Sequence, residues 1–129
     1  MKAVDTNVLA RFLVNDDAEQ SPIATRVLAG PSYIADTVLV ETAWLLSSRY
    51  GFGRAVLAEA LLDILNLPTV EVSDPALIGW AVRRFAAGAD LADMMHLIGG
   101  RHADAFVSFE TKLATQAGPD TPVPIERAA

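Results

Sequence analysis

Five short apolar runs alternate along the chain with longer segments of helical periodicity, and this alternation constrains the fold more than any other feature. The short runs are Lys2–Asp5, Pro31–Ala35, Thr69–Val72, Ala105–Ser108 and Val123–Ile125. Helical patterns occupy Val8–Val14, the stretch that follows Asp16–Ser21, Val38–Tyr50, Gly53–Asn66, Asp74–Ala87, Asp90–Gly100 and Glu110–Gln116. Strands that alternate with helices form parallel sheets covered on both faces. We therefore predict a three-layer α/β/α sandwich around a five-stranded, mainly parallel sheet.

The length and composition narrow the classes of protein. A chain of 129 residues is long enough for one hydrophobic core and too short for two, so we predict a single domain over residues 1–129. The absence of cysteine excludes disulfides, zinc–thiolate sites and thiol nucleophiles. The apolar runs are too short to span a membrane, and the N-terminus lacks the apolar stretch of a signal peptide. We expect a cytoplasmic protein with no membrane partner.

Acidic residues end the predicted strands or begin the predicted helices. Asp5 ends the first strand, Glu110 follows the fourth, and Asp90 and Asp93 lie three residues apart at a helix start. In parallel α/β folds, ligands bind outside the carboxyl ends of the strands. Each of these acids also has a structural interpretation, because an acid at the first turn caps or stabilises a helix. The acids taken one by one therefore leave both interpretations open.

Glu41 is harder to explain as a structural residue. It lies in Val38–Leu46, a run that is apolar on nearly every face and so predicts a largely buried helix with Trp44 in the core. A buried carboxylate needs a cation or strong donors, because an unpaired buried charge costs several kcal/mol. The helix dipole is the alternative explanation, but its effect fades beyond the first turn. The pattern favours a functional role for this acid.

The acids together predict a metal site. Four or five carboxylates at one edge of a sheet, without a histidine or cysteine cluster, are typical ligands for Mg²⁺ or Mn²⁺. The expected chemistry is hydrolysis of a phosphodiester, in which the metal neutralises the phosphate and activates water. His96 follows Asp93 by three residues and is interpreted as a packed residue, because magnesium prefers oxygen ligands.

Four segments resemble the PIN domain, and more narrowly the VapC-type toxins of bacterial and archaeal toxin–antitoxin pairs. In chain order they are VDTNVL (4–9), VETAW (40–44), DLAD (90–93) and FVSFETKLA (106–114). The resemblance extends over essentially the whole chain. It implies a magnesium- or manganese-dependent endoribonuclease with RNA as its substrate. It also implies a homodimer that a VapB-like antitoxin holds inactive, in a complex that can be of higher order.

The resemblance assigns roles to individual residues. Asp5, Glu41 and Asp93 match the three principal acids of the family, and Glu110 matches a more variable fourth. These four are therefore the expected metal-binding and catalytic residues. The fourth position is commonly aspartate, so Glu110 is a departure that adds one methylene to the side chain. Supporting roles are implied for an accessory acid, an amide and two hydroxyls, which are Asp90, Asn7, Thr6 and Ser108.

One other class of function stays open at this point, a second is disfavoured and a third is excluded. A catalytically silent PIN-like module would bind RNA or a protein partner without cutting, and the departure at Glu110 keeps this alternative open. A receiver-like phosphoacceptor needs paired acids after the first strand, where this chain has Asp5 alone. A haloacid-dehalogenase phosphatase is excluded, because Asn7 stands where that family requires a second aspartate.

The net charge of −6 comes largely from the candidate site. The chain has 16 acidic and 10 basic residues, and setting aside the five site acids leaves 11 acids against the same 10 bases. An acidic chain of this kind does not exclude an RNA substrate, because bound metal reverses the local charge. The mean hydropathy of +0.32 predicts apolar surface, which we expect a dimer face and an antitoxin groove to cover.

Overall fold

A computed structural model describes residues 1–129, which form seven α-helices and five short β-strands. The helices are α1 (Thr6–Val14), α2 (Gln20–Leu28), α3 (Asp36–Ser48), α4 (Arg54–Leu65), α5 (Pro75–Ala86), α6 (Leu91–Gly99) and α7 (Leu113–Ala117). The strands are β1 (Lys2–Ala3), β2 (Ser32–Tyr33), β3 (Val70–Glu71), β4 (Phe106–Ser108) and β5 (Ile125–Arg127). Each predicted element is present with bounds shifted by a few residues. None of the helices is long and apolar enough to cross a membrane.

The strands form two separate parallel sheets. One sheet has the order β1-β2-β3, and the other pairs β4 with β5. The prediction of one five-stranded sheet, as the central layer of a three-layer sandwich, was therefore wrong. The strands are only two or three residues long, and β1 directs its backbone bonds to the β2 segment alone: the N–H groups of Lys2 and Val4 donate to Pro31 and Tyr33 at 3.0 Å. The coarser prediction of a mixed α/β fold with parallel strands is confirmed.

Aspartates begin three of the helices. Asp5, Asp74 and Asp90 are the N-caps of α1, α5 and α6. Each carboxylate accepts a backbone N–H three residues later, at 3.0, 3.1 and 2.9 Å, from Val8, Leu77 and Asp93 in turn. A cap of this kind stabilises a helix by about 1 kcal/mol. The structural interpretation of Asp5 and Asp90 is thus confirmed, although one oxygen of each carboxylate has no partner.

Helix α3 has one buried face and one open face. The core is a single cluster of 25 buried residues between Val4 and Val123, and α3 packs into it against α1, α4 and α6. Leu39 and Leu46 on the inner face are fully buried, whereas Glu41 on the opposite face is exposed. The predictions of a largely buried helix and of Trp44 as a core residue were wrong, because Trp44 is 65% exposed.

Candidate functional site

The start of α1 is joined to the open face of α3 by one side-chain hydrogen bond. The hydroxyl of Thr6, a buried residue, donates to Oε1 of Glu41. This bond holds the Glu41 carboxylate near the N-terminus of α1, where Asp5 caps the helix through Oδ1. Oδ2 of Asp5 and Oε2 of Glu41 accept no hydrogen bond. Each of these acids therefore presents one free oxygen to a ligand.

A cavity of about 460 Å³ lies between α1 and α3, and we call it the α1/α3 cavity. Its lining residues are Asp5, Thr6, Asn7, Val38, Glu41, Trp44, Leu45 and Arg49. The chain has one ion pair, between Arg11 and Asp16 at 3.5 Å, so no cation neutralises the acids of this cavity. Arg49 has no acidic partner either. Free carboxylates and a free guanidinium thus line the same solvent-open space.

The second group of acids lies at the start of α6. The backbone N–H of Asp93 donates to Asp90 at 2.9 Å, but the carboxyl group of Asp93 accepts no hydrogen bond. Burial and the negative charge of Asp90 raise the pKa of Asp93 above its usual 3.8, and Glu110 adds to this rise while His96 opposes it. Glu110 therefore lies within electrostatic reach of Asp93. No lysine or arginine is paired with this group.

Glu110 lies in a turn between β4 and α7. Its backbone N–H donates to Oγ of Ser108 at 3.0 Å, and its Oε1 accepts from the N–H of Lys112 at 3.2 Å. The predicted helix over Glu110–Gln116 begins instead at Leu113, so Glu110 is not a first-turn acid. Ser108 fixes the backbone of Glu110 rather than its carboxylate, whose second oxygen accepts no hydrogen bond.

The donor set has the chemistry of a site for a hard cation, and its geometry is open. The acids form two groups, Asp5 with Glu41 and Asp93 with Asp90 and Glu110, and all their ligand atoms are oxygen. No three acidic or histidine side chains lie close enough to hold one metal ion. Magnesium commonly keeps several waters and is held by one or two carboxylates together with substrate phosphates. The residues therefore fit a water-rich magnesium ion better than a closed cage of protein ligands.

A further cavity, which the sequence did not predict, lies between α3 and α6 and is called the α3/α6 cavity. It has a volume of about 490 Å³, and its lining residues are Asp36, Thr37, Val40, Glu41, Trp44, Ala92, Met95 and His96. Glu41 and Trp44 line both cavities. His96 is exposed rather than packed. The spacing of Thr37, Glu41 and Ser48 could have revealed the open face, because residues four or seven apart share one side of a helix.

Comparison with known proteins identifies no relative of the chain. No protein-family model matches it, and no curated protein or solved structure matches it. The resemblance to the PIN domain therefore rests on the four sequence segments alone. The geometry of the two acid groups is independent of that resemblance.

Proposed function

We propose that the chain is a metal-dependent endoribonuclease with PIN-like architecture, acting as the toxin of a type II toxin–antitoxin pair. The observation that carries this proposal is a set of four acids without cationic partners, Asp5, Glu41, Asp93 and Glu110. Asp5 and Glu110 follow the parallel strands β1 and β4. Glu41 lines the α1/α3 cavity together with Asp5. Repulsion among unneutralised carboxylates disfavours such a set, unless a cation binds there.

The proposed roles follow from the free oxygens of the acids. Mg²⁺ or Mn²⁺, when bound, supplies positive charge for the phosphate and lowers the pKa of the attacking water. Asp5 and Glu41 would hold an ion beside the start of α1, and Asp93 and Glu110 would bind from the second group of acids, with waters completing the coordination. Thr6 holds one oxygen of Glu41, which leaves the other in a defined direction. Restricting a ligand in this way favours metal binding, because orienting partners commonly contribute 10–100-fold in affinity or activity.

The remaining polar groups of the α1/α3 cavity suit an RNA backbone. Arg49 and Asn7 line this cavity together with Asp5. Arginine and asparagine are common donors to phosphate oxygens, and such contacts position a nucleic acid without reading its sequence. We assign Arg49 to binding the phosphate backbone beside the acids.

The proposed partners are a second copy of the chain and a VapB-like antitoxin. Large apolar side chains are exposed on α2, α4 and around β4, including Ile23, Val56, Val107 and Phe109. Exposed apolar residues that form contiguous patches mark sites of association. The wide distribution of these residues supports more than one covered surface.

The first experiment compares two aspartates that cap helices with the same geometry. Asp5 and Asp74 each accept a backbone N–H, at 3.0 and 3.1 Å, and asparagine preserves such a cap. We expect purified protein to cleave RNA with Mg²⁺ or Mn²⁺ and not with excess EDTA. Asp5→Asn should lose more than about 100-fold in rate, since it removes a ligand rather than an outer partner. Asp74→Asn should retain the rate of the parent.

Two results would contradict the proposed mechanism. Full cleavage in EDTA would exclude a metal-dependent reaction. Equal rates for Asp5→Asn and Asp74→Asn, measured on variants with the same melting temperature as the parent, would show that Asp5 acts only as a cap.

A catalytically silent module that binds RNA or a protein is the second candidate. The observation that favours it is that no three acids lie within reach of one ion. This candidate predicts that RNA binds but stays intact in both Mg²⁺ and Mn²⁺. It also predicts that a partner binds equally well after Asp5, Glu41, Asp93 and Glu110 are all changed to amides. The cleavage assay above therefore distinguishes the two candidates.

A further inference from the structure

Trp44 has an unusual position for a tryptophan. Its side chain is 65% exposed, whereas tryptophan is highly buried on average in folded proteins. It lies one turn after Glu41 on the open face of α3 and lines both the α1/α3 and the α3/α6 cavities. It also lines a third cavity of about 240 Å³ that includes Asp90. Trp44 therefore contributes little to the hydrophobic core, and its indole ring lies between cavities that contain candidate site acids.

The α3/α6 cavity has the size and lining of a pocket for a flat ring. Its volume of about 490 Å³ lies in the range of roughly 300–1,000 Å³ that is usual for small-molecule pockets. Val40, Trp44 and Met95 give it an apolar and aromatic wall, and Thr37 and His96 add polar groups that make no hydrogen bond within the protein. A planar heteroaromatic ring can stack on the apolar and aromatic wall and form hydrogen bonds with the polar groups.

We propose that Trp44 is the stacking platform for a nucleobase of single-stranded RNA, and that this base occupies the α3/α6 cavity. The inference rests on the proposed ribonuclease function and specifies the form of its substrate. The bases of a duplex already stack on one another, so only an unpaired base can stack on an exposed indole. Stacking accepts any base, because every base has a π-face. The pocket therefore selects single strands rather than a particular sequence.

The arrangement around Glu41 supports a nucleotide as the occupant. Glu41 lines the α3/α6 cavity on one side and the α1/α3 cavity on the other. The first cavity offers an aromatic wall for a base, and the second offers the free guanidinium of Arg49 for a phosphate. A base and its neighbouring phosphate are joined through one sugar, so adjacent cavities of these two kinds match one nucleotide. The candidate acids then lie beside that phosphate.

A protein partner matches this surface less well. A protein that covered Trp44 would also cover the carboxylates of Asp36 and Glu41 and the guanidinium of Arg49. Aspartate and glutamate are depleted from protein interfaces, and their desolvation is costly. Interfaces with nucleic acids are more polar, retain water and are positively charged. Arg49 and a metal ion bound beside Glu41 would supply that positive charge, so the surface around Trp44 suits RNA when metal is bound.

The test measures the binding of a short single-stranded oligoribonucleotide, and of a duplex of the same sequence, in the presence of Mg²⁺. Binding is measured in an Asp93→Asn background, so that the proposed cleavage does not consume the probe. The variants are Trp44→Ala, Trp44→Phe and the control Val56→Ala, which removes a 60% exposed side chain of α4 that lines neither cavity. Trp80 is 7% exposed, so quenching of tryptophan fluorescence by RNA reports on Trp44.

We expect Trp44→Ala to weaken the binding of the single strand about tenfold. That factor corresponds to about 1.4 kcal/mol, within the range measured for one stacked base. Trp44→Phe should recover most of the affinity, and Val56→Ala should bind like the parent. The single strand should quench the parent's fluorescence, and the duplex should not. Unchanged melting temperatures would show that the variants fold alike.

Three results would overturn the inference. The first is equal affinity of the parent and Trp44→Ala, and the second is an equal loss in Trp44→Ala and Val56→Ala. The third is loss of self-association in Trp44→Ala, seen by sedimentation, with RNA affinity unchanged, which would make Trp44 part of a protein interface.

The same variants separate this inference from the proposed function when Asp93 is intact. If RNA binds through Trp44 but is never cleaved, the stacking platform stands and the ribonuclease proposal fails. If RNA is cleaved and Trp44→Ala leaves both kcat and KM unchanged, the ribonuclease proposal stands and the stacking platform fails.

Discussion

The starts of α2 and α6 use aspartate in opposite ways. Asp17, just before α2, accepts the backbone N–H groups of Gln20 and Glu19 at 2.7 and 2.9 Å, and these bonds lower its pKa. Asp93, in the first turn of α6, has no donor to its carboxyl group, and burial and the charge of Asp90 raise its pKa. Folding favours the charged form of the first residue and disfavours the charged form of the second.

This difference separates acids that stabilise the fold from acids that do not. An acid that stabilises a helix start has hydrogen-bond donors, as Asp17 and Asp74 have. Asp93 has neither a donor nor a cation, so its charge opposes folding. An acid that opposes folding, has a perturbed pKa and lies with other acids is a candidate for function. Substitutions on the two sides of the comparison should therefore have opposite consequences.

The largest expected effect is at Asp93. Asp93→Asn should lower the rate of RNA cleavage by more than about 100-fold, because it removes a proposed metal ligand. The same change should leave the protein at least as stable as the parent, because it removes a charge that its neighbours repel. Cleavage rates in Mg²⁺ and thermal denaturation of the same samples measure both effects.

Asp17→Asn is the matched control for this prediction, because Asp17 also lies at a helix start but belongs to neither group of candidate site acids. It should cleave RNA at the rate of the parent. If Asp93→Asn were less stable than the parent but fully active, Asp93 would be a structural residue rather than a catalytic one.

A smaller effect is expected at the helix caps. Asp74→Ala and Asp90→Ala each remove one N-cap bond, which contributes about 1 kcal/mol to stability. Asp90→Ala should cost less of that stability, because it also removes a negative charge beside Asp93. Urea denaturation of both variants measures this difference. A larger loss at Asp90 than at Asp74 would show that its charge does not oppose the fold.

The sequence predicted helix starts, because they depend on local interactions. The helices at Asp74 and Asp90 begin where predicted, because a cap needs only a side chain and an N–H three residues away. Helix α1 begins at Thr6, two residues before the predicted start at Val8. The pairing of the strands could not be predicted, because strands of two or three residues are too short for their hydrophobic pattern to specify a register. The strands β1 and β4 belong to separate sheets, and this separation depends on how the helices pack around them.

The candidate site was predicted in part, and partly for the wrong reason. Glu41 was selected because α3 appeared buried on nearly every face, yet Glu41 is exposed and bonded to Thr6. Val40 and Leu45 lie beside the open face and are partly buried, so hydrophobicity alone did not distinguish the two faces. For the same reason Trp44 was placed in the core. Apolar character in a sequence predicts burial only where no function requires exposure.

The smallest expected effect is on the dependence of stability on pH, and here the two aspartates should differ in sign. The pKa of Asp17 is lowered below 3.8 in the folded protein, so the unfolded chain binds more protons in the window below that value. The stability from Asp17 is therefore present above pH 3.8 and is lost as the pH falls through the lowered pKa. The pKa of Asp93 is raised above 3.8, so the folded protein binds more protons in the window above it. The contribution of Asp93 is therefore lost as the pH rises through the raised pKa.

Thermal denaturation in metal-free buffer, over about pH 3 to 6, tests both signs in one experiment. The melting temperature of Asp17→Asn should approach that of the parent as the pH falls. Protonation then neutralises the Asp17 carboxylate of the parent, which its two backbone donors stabilise in the charged form. The melting temperature of Asp93→Asn should rise relative to the parent as the pH rises, because only the parent then acquires the repelled charge. If both differences changed in the same direction, the environments of the two carboxyl groups would be alike. The distinction between an acid that stabilises the fold and an acid that opposes it would then fail.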